Sequence, residues 1–377
     1  MKILNFEVHD LHGHEGVVGG AFNTDLNILT GRNGSGKTSV LKLIWYIISG
    51  NMLQALREVV FREATVETTE YRCTVYRLSR ATCRVQLRID GRTFDFEDER
   101  DDEDQVIINA EDAANNLIVS RGSSVFLPTF RRIEGGFTID PARNSGLISR
   151  AFRQKNNDVE DALEALAKRL TIEPHVFVSA ISTADIVGLL LRRYTELSDE
   201  YNRLQQQTSQ EVIDSIKSYE SGTKEGVTTS PEALLDSIRT KIEGTEDERE
   251  RIMAPIDAVR ERVEHLFTHT GIKFGTRLNF GDAASAVNSD FLSAGEKQML
   301  SFICYNAFYQ DAIFLIDEPE LSLHPDWQRS LFGLLLSQQP SNQFIIATHS
   351  PFIYSKFPEK EIAIVSDRGD AESPEVK

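Results

Sequence analysis

Hydrophobic positions along the chain change period between segments, and those changes outline its elements. Residues 2–8 alternate apolar and polar, and Asp25–Thr30 (DLNILT) is a short apolar run that reads as a buried strand. The segment that follows, KTSVLKLIWYIISG, spaces its apolar residues as a helix does and ends at Gly50, a residue suited to a left-handed cap. From Tyr71 to Phe96 the period becomes that of strands. CTVYRLS and RVQLRIDGRTFDFED are rich in β-branched and aromatic residues, and Asp90-Gly91 signals a tight hairpin turn. The acidic run after it, EDERDDED, reads as a solvated loop.

The middle of the chain follows a 3-4 spacing. One run passes through Val187, Leu190, Tyr194, Leu197, Tyr201 and Leu204. A second joins Leu235, Ile238 and Ile242, breaks at Thr245 and Arg249, and resumes at Ile252, Ile256, Val259, Val263 and Leu266. Such a seam is expected of two helices packed antiparallel, and two amphipathic helices of a helical lid would give the same pattern. SGTKEGVTTSPE lies between the runs as a turn, with Ser230 as N-cap and Pro231 at the first helical position. Past Gly271 short strands and loops return. The last strong elements are the buried strands AIFLIDE and QFIIATHS, with the helix PDWQRSLFGLLLSQQ between them, and the tail after Val365 is polar. The expected organisation is an α/β head split into residues 1–150 and 271–377, with a helical arm at 151–270.

Candidate chemistry sits at both ends. Gly31-Arg32-Asn33-Gly34-Ser35-Gly36-Lys37-Thr38 fits G-x-x-x-x-G-K-[ST] between a predicted strand and a predicted helix. Its glycines let backbone amides from Asn33 to Gly36 curl around phosphates, with Ser39 just inside the helix. Lys37 reaches the β and γ phosphates, and Thr38 offers a hydroxyl to Mg²⁺. The strand Ile313–Ile316 then delivers Asp317, to hold hydrated Mg²⁺, and Glu318, to activate water as general base. His349, after the next strand, is suited to hydrogen-bond the γ-phosphate and sense its loss. ATP and Mg²⁺ are the implied ligands, and ATP hydrolysis, slow in turnover, the implied reaction.

A second helix start with anion-binding character, LSAGEKQ, carries Ser293, Gly295 and Glu296 some 260 residues after the first. One nucleotide cannot be cradled by both if both belong to one rigid head and face the same way. Two heads packed head-to-tail resolve this, because Ser293 and Gly295 of one then cap the γ-phosphate held by Lys37 of the other. ATP becomes the glue of a dimer, and hydrolysis loosens it.

The ordered set GRNGSGKT, LSAGEKQ, FLIDEPE and ATHS resembles the ATP-binding-cassette ATPase heads of the SMC and OLD (overcoming lysogenization defect) kind, over roughly residues 1–140 and 270–377. The resemblance implies a P-loop head of mixed sheet, flanking helices and an antiparallel β portion, with a short coiled-coil-like arm inserted. It also implies nucleotide roles for Lys37, Thr38, Asp317, Glu318, Ser293, Gly295 and His349, and a dimer-communication loop over Leu321–Pro325. DEPELSLHP is similar to the OLD branch met in bacterial anti-phage systems. There are departures. No glutamine loop is evident, and FLPTFRRIEGG (Phe126–Gly136) stands in its place, similar to stretches in ATPases of PARIS-type and retron operons. Arg131 or Arg132 there contacts phosphate or forms a structural ion pair. The arm is far shorter than in SMC proteins, and the chain after His349 has no room for the nuclease domain of OLD proteins, so any effector is expected in trans.

Composition narrows the alternatives. A net charge of −17 opposes a uniformly basic nucleic-acid coat, yet six arginines (Arg72, Arg77, Arg80, Arg84, Arg88, Arg92) stand against one acid between residues 72 and 92. That stretch is either a solvated hairpin face or a contact surface for an acidic partner or DNA. Cys73, Cys83 and Cys304 lack metal-like spacing and suit a reducing compartment, and the early charges of MKILNFEVHD do not suit a signal peptide. A cytoplasmic protein without a membrane partner is expected. His9, His12 and His14 in HDLHGH read as a surface loop, there being no supporting metal ligands nearby. One functional expectation is an ATPase switch of anti-phage defence, a dimer or a higher oligomer, answering a phage-encoded trigger and holding a toxin or nuclease. The others are a RecF-like DNA-repair clamp and an ATP-dependent assembly scaffold. The cassette of a membrane transporter is disfavoured by the inserted arm.

Overall fold

Leu26–Thr30 (β3) is buried along its whole length, as a strand must be when both faces of its sheet are covered. The computed structural model describes residues 1–100, 106–129, 132–133, 162–163, 165–181, 183–225, 230–266 and 293–364. In it β3 belongs to a fully parallel sheet ordered β12 (His175–Phe177), β10 (Ser123–Leu127), β14 (Ala312–Asp317), β15 (Gln343–Ala347), β3 and β16 (Glu361–Ala363). A second sheet is antiparallel throughout, ordered β2 (Val17–Ala21), β1 (Ile3–His9), β4 (Glu63–Thr68), β5 (Tyr71–Arg77), β6 (Cys83–Ile89) and β7 (Arg92–Phe96). Asp90 and Gly91, at φ 49° and 75°, make the two-residue turn joining β6 to β7, where left-handed backbone matches the twist of the strands. The acidic run is not all loop: β8 (Glu99–Arg100) pairs antiparallel with β9 (Val106–Ile108). A further small pair, β11 (Arg132–Ile133) and β13 (Ala180–Ile181), is parallel.

Helix α1 (Lys37–Ile48) lies between the sheets, touching β14 and β15 on one side and β4 on the other. That position explains why it is buried almost all round instead of along one stripe. Trp45 stacks on Phe126 of β10 at 5.3 Å between ring centroids. The helix ends as its sequence predicts: Gly50 is left-handed at φ 76°, and Asn51 N–H closes back onto Tyr46 O at 2.9 Å. Helices α2 (Met52–Glu58) and α3 (Ala110–Ile118) follow within the same half. The thiols of Cys73 and Cys304 are fully buried, and burial pushes both up to about 12.

The chain divides into two units, Met1–Ser182 with Leu292–Lys377, and Thr183–Phe291. The head thus extends past the boundary expected at residue 150, because β12 and β13 still pair with head strands. The second unit holds α4 (Thr183–Glu225) and α5 (Pro231–Leu266). Contacts Tyr201–Arg249, Thr208–Thr245 and Glu211–Lys241 fall in opposite chain order, so the helices run antiparallel. The seam differs from the expected one toward the tip. Leu235 and Ile242 are 66% and 53% exposed, while Lys241 and Thr245 turn inward. The breaks expected at Thr245 and Arg249 are contacts between the helices: Thr245 donates to Thr208 Oγ1 at 3.1 Å, and Arg249 covers the Tyr201 ring. Ser230 caps α5 as expected, accepting from Ala233 N–H at 3.2 Å. The side chains of Val187, Val263 and Leu266, the segment after Gly271, and the tail after Val365 lie outside the described residues.

Helices α6 (Ala294–Phe308), α7 (Pro325–Gln338) and the short α8 (Pro351–Tyr354) complete the head. Among the described residues no helix is long and apolar enough to cross a membrane.

Candidate functional site

In the parallel sheet β3 and β14 flank β15, and the C-terminal ends of these three strands carry the predicted site. After β3 the chain turns through Gly34 and Gly36, left-handed at φ 81° and 93°, and enters α1 at Lys37. Gly36 also meets a close neighbour: a Cβ there would lie 2.8 Å from Leu11 Cδ2. Lys37 is buried and donates from Nζ to its own loop, to Gly31 O at 2.8 Å and Arg32 O at 3.0 Å. Burial lowers its pKa, against the opposing pull of Asp317, Glu318 and Glu320. Ser35 Oγ is enclosed without a hydrogen-bond partner among the described residues, and Thr38 and Ser39 are half-buried.

Asp317 closes β14 almost wholly buried. Glu318 takes a left-handed backbone, φ 48°, uncommon for a residue with a side chain, and its N–H donates to Ala347 O at 2.8 Å. Burial raises the Glu318 carboxyl above its ordinary range, Asp317 and Glu320 raise it further, and His349 and Lys37 oppose them. His349 is exposed at the end of the neighbouring loop, and its N–H donates to Glu320 Oε1 at 2.8 Å. Lys37, Asp317, Glu318 and His349 therefore share one electrostatic neighbourhood, although they come from opposite ends of the chain.

Ser293, Gly295 and Glu296 lie at the start of α6. Ser293 and Glu296 form a reciprocal capping box: Ser293 N–H donates to Glu296 Oε2 at 2.7 Å and Glu296 N–H to Ser293 Oγ at 3.3 Å. The Ser293 hydroxyl proton is not used by that box. Gly295 packs directly on the carbonyl of Ser322, and Gln298 Nε2 donates to Pro319 O at 2.8 Å. Among the described residues no hydrogen bond joins Ser293 or Glu296 to the loop at Lys37 of the same chain.

Three residues at this site escaped sequence reasoning. Thr129, in the FLPTFRR stretch, donates its hydroxyl to Asp317 Oδ2, because β10 pairs with β14 up to Leu127–Ile316. His12 hydrogen-bonds Ser39 Oγ at 2.8 Å, so the HDLHGH loop lies beside the first turn of α1, while His9 meets Arg62. Glu320 joins the two loops that carry Glu318 and His349. No local pattern signals any of these contacts. Arg131 and the side chain of Arg132 lie outside the described residues. Of the six clustered arginines, Arg77 donates to Leu56 O, Arg72 pairs with Glu67, and Arg84 pairs with Asp95 and Glu97.

Over residues 26–355 the sequence matches the family described as "AAA domain, putative AbiEii toxin, Type IV TA system". The chain belongs to that family. As a member of this AAA family it carries an ATPase domain. It is 30% identical over 129 residues to the "Retron Vc95 probable ATPase" of Vibrio cholerae serotype O1 biovar El Tor, covering 30% of this chain and 23% of that one. It is 41% identical over 63 residues to the "Endonuclease GajA" of Bacillus cereus (strain VD045), covering 15% and 11%. The chain thus spans less than a quarter of the length of either relative. Among solved structures it aligns with the Smc head domain bound to the C-terminal domain of ScpA from Pyrococcus furiosus, at 14% identity, TM-score 0.36 and coverage of 94% and 91%. The SmcHead bound to the C-winged helix domain of ScpA aligns at 13% identity, TM-score 0.42 and coverage of 94% and 92%.

Proposed function

We propose that this chain is an ATP-binding and hydrolysing head whose nucleotide-bridged, head-to-tail dimer acts as a switch in anti-phage defence, controlling a separate toxin or nuclease. The observation that carries the reading is the meeting of Lys37 with Asp317 and Glu318 at one end of the parallel sheet. The residues fit a magnesium nucleotide. The loop amides of Asn33 to Gly36 and the start of α1 suit phosphates, and Lys37 exchanges its bonds to Gly31 and Arg32 carbonyls for phosphate oxygens. Thr38 and Asp317 would hold Mg²⁺, which typically takes only one or two protein ligands and supplies neutralising charge on the phosphates. Glu318, with its raised pKa, is the base that takes the proton of the attacking water, and His349 contacts the γ-phosphate.

Ser293, Gly295 and Glu296 serve the partner's nucleotide, Ser293 through the hydroxyl proton its capping box leaves unused. Support for the defence role comes from the retron ATPase and endonuclease named among the relatives. The arm helices form a short coiled-coil-like hairpin, and assemblies beyond a dimer are compatible with the reading.

The test is native mass spectrometry with ATP, alongside ATP turnover. Glu318→Gln is expected to bind ATP, stop turning over and accumulate as dimer, and Lys37→Ala to lose ATP binding. A Glu318→Gln protein that stays monomeric with saturating ATP overturns the head-to-tail switch. A second reading, a DNA clamp, draws on Arg72 and Arg88, which face each other directly across β5 and β6 and so favour an anion between them.

A further inference from the structure

Glu320 closes the FLIDEPE motif but carries none of the nucleotide roles that motif implies, and its side chain reaches across to ATHS. One of its carboxylate oxygens, Oε1, accepts the backbone N–H of His349 at 2.8 Å. The other, Oε2, is enclosed and has no hydrogen-bond partner among the described residues. A second tie runs parallel to the first. Gln328 Nε2 donates to Leu323 O at 2.8 Å and to Glu320 O at 3.4 Å, while Gln328 Oε1 accepts from Ser350 Oγ at 2.6 Å. Residues 349 and 350 are therefore both gripped from the segment that follows Glu318.

We infer that Glu320 is a positioning residue that fastens the His349 loop to the Glu318 loop, so that the γ-phosphate contact and the general base act as one unit. The inference rests on the hydrolytic reading above. A loop staple alone would need only an acceptor, and a neutral amide would serve. A carboxylate makes a charge-assisted bond, roughly twice as strong as a neutral one. It is kept here although half its bonding capacity goes unused in an enclosed spot, which is costly unless the strength of the tie matters. Its charge also falls within reach of both Lys37 and Glu318, which sets it at the heart of the site. The bond it makes is to the backbone of His349, so it fixes where the loop starts and leaves the imidazole free to meet phosphate.

The test is a double-mutant cycle on the full chain, read as steady-state turnover and as ATP and ADP affinity by calorimetry. Glu320→Ala is expected to lower kcat by about 10-fold or more with ATP affinity changed by less than about 3-fold, since small misplacement of a reacting group has effects of this order. His349→Ala should do the same, and the double variant should be no worse than the weaker single, as for residues acting as a unit. Glu320→Gln, which keeps an acceptor but loses the charge, should give a kcat between those of Glu320→Ala and wild type, and wild-type kcat in it would overturn the need for a charged tie. Should Glu320→Ala fail to fold, Glu320→Asp, whose carboxylate stops a methylene short, takes its place in the cycle with the same expectation. Losses that multiply in the double variant, or wild-type kcat in Glu320→Ala or Glu320→Asp, overturn the inference. Failure of the hydrolytic reading looks different: wild-type protein would not turn over, or Lys37→Ala would turn over equally well.

Discussion

Gly36 joins two demands at one atom, which makes Gly36→Ala a quantitative test of how the loop leading into α1 is built. Its backbone is left-handed, φ 93°, and a side chain in that region costs about 1–2 kcal/mol. The new Cβ would also stand 2.8 Å from Leu11 Cδ2, roughly 0.7 Å inside the closest comfortable carbon–carbon separation. Because the neighbour is the end of a side chain, relief by rotation holds this part near the lower end of the roughly 1–3 kcal/mol typical of overpacking. Together they predict a loss of about 2–3 kcal/mol. Urea unfolding of nucleotide-free protein measures it without any contribution from lost ligand binding. Leu11→Ala separates the two parts, and in that background Gly36→Ala should cost about 1 kcal/mol less than in the wild type. A Gly36→Ala protein within about 0.5 kcal/mol of wild type would refute the argument for the backbone. Equal costs in both backgrounds would refute the argument for the contact.

Thr129→Val keeps the shape of the side chain and removes the proton given to Asp317, a bond worth about 1.5–3 kcal/mol when the acceptor is charged. The Mg²⁺ concentration for half-maximal turnover should rise by about 10-fold or more, and unchanged Mg²⁺ dependence counts against a role for Thr129. His175, buried between Ser124 Oγ and Val119 O, has its pKa lowered by burial from 6.5 to about 4. Because the folded value lies below the unfolded one, this stability is complete above about pH 6.5 and drains away as pH falls toward 4, to a limit of about 3 kcal/mol. Urea midpoints between pH 7 and 4.5 should fall more in wild type than in His175→Gln, and equal falls would dismiss the histidine. Arg72→Glu with Arg88→Glu should abolish salt-dependent DNA binding if the outer sheet face is a DNA surface. Affinity unchanged by the reversal removes that second reading.

The glycine loop that leads into α1 was legible because its demands are local. Two glycines must take left-handed backbone between a buried strand and a helix, and residue type alone announces it. The buried run ending at Asp317 was legible for the same kind of reason. Thr129, His12 and Glu320 were not, because each meets its partner through sheet order and register. Thr129 comes beside Asp317 because Leu127 pairs with Ile316, a relation no window of sequence contains. In the arm, apolar spacing found the helices but chose Leu235 and Ile242 one position away from the line that faces the partner. Two helices alone enclose a narrow and partly wetted seam, so Lys241 and Thr245 can sit inward where a larger core would exclude them.

Strand order in the parallel sheet also bears on how the protein is made. β3 lies between β15 and β16, so its two neighbours are among the last strands of the sheet to leave the ribosome. From Thr30 to Gln343, translation at about 5–20 residues per second takes roughly 15–60 s, during which β3 has neither partner. The hairpin of α4 and α5 needs no such wait, since its contacts lie within one continuous stretch of chain. The nascent polypeptide therefore carries a finished arm before its parallel sheet is complete, and a ribosome stalled before Gln343 leaves a chain with the glycine loop after β3 but without the neighbouring strands that would hold it.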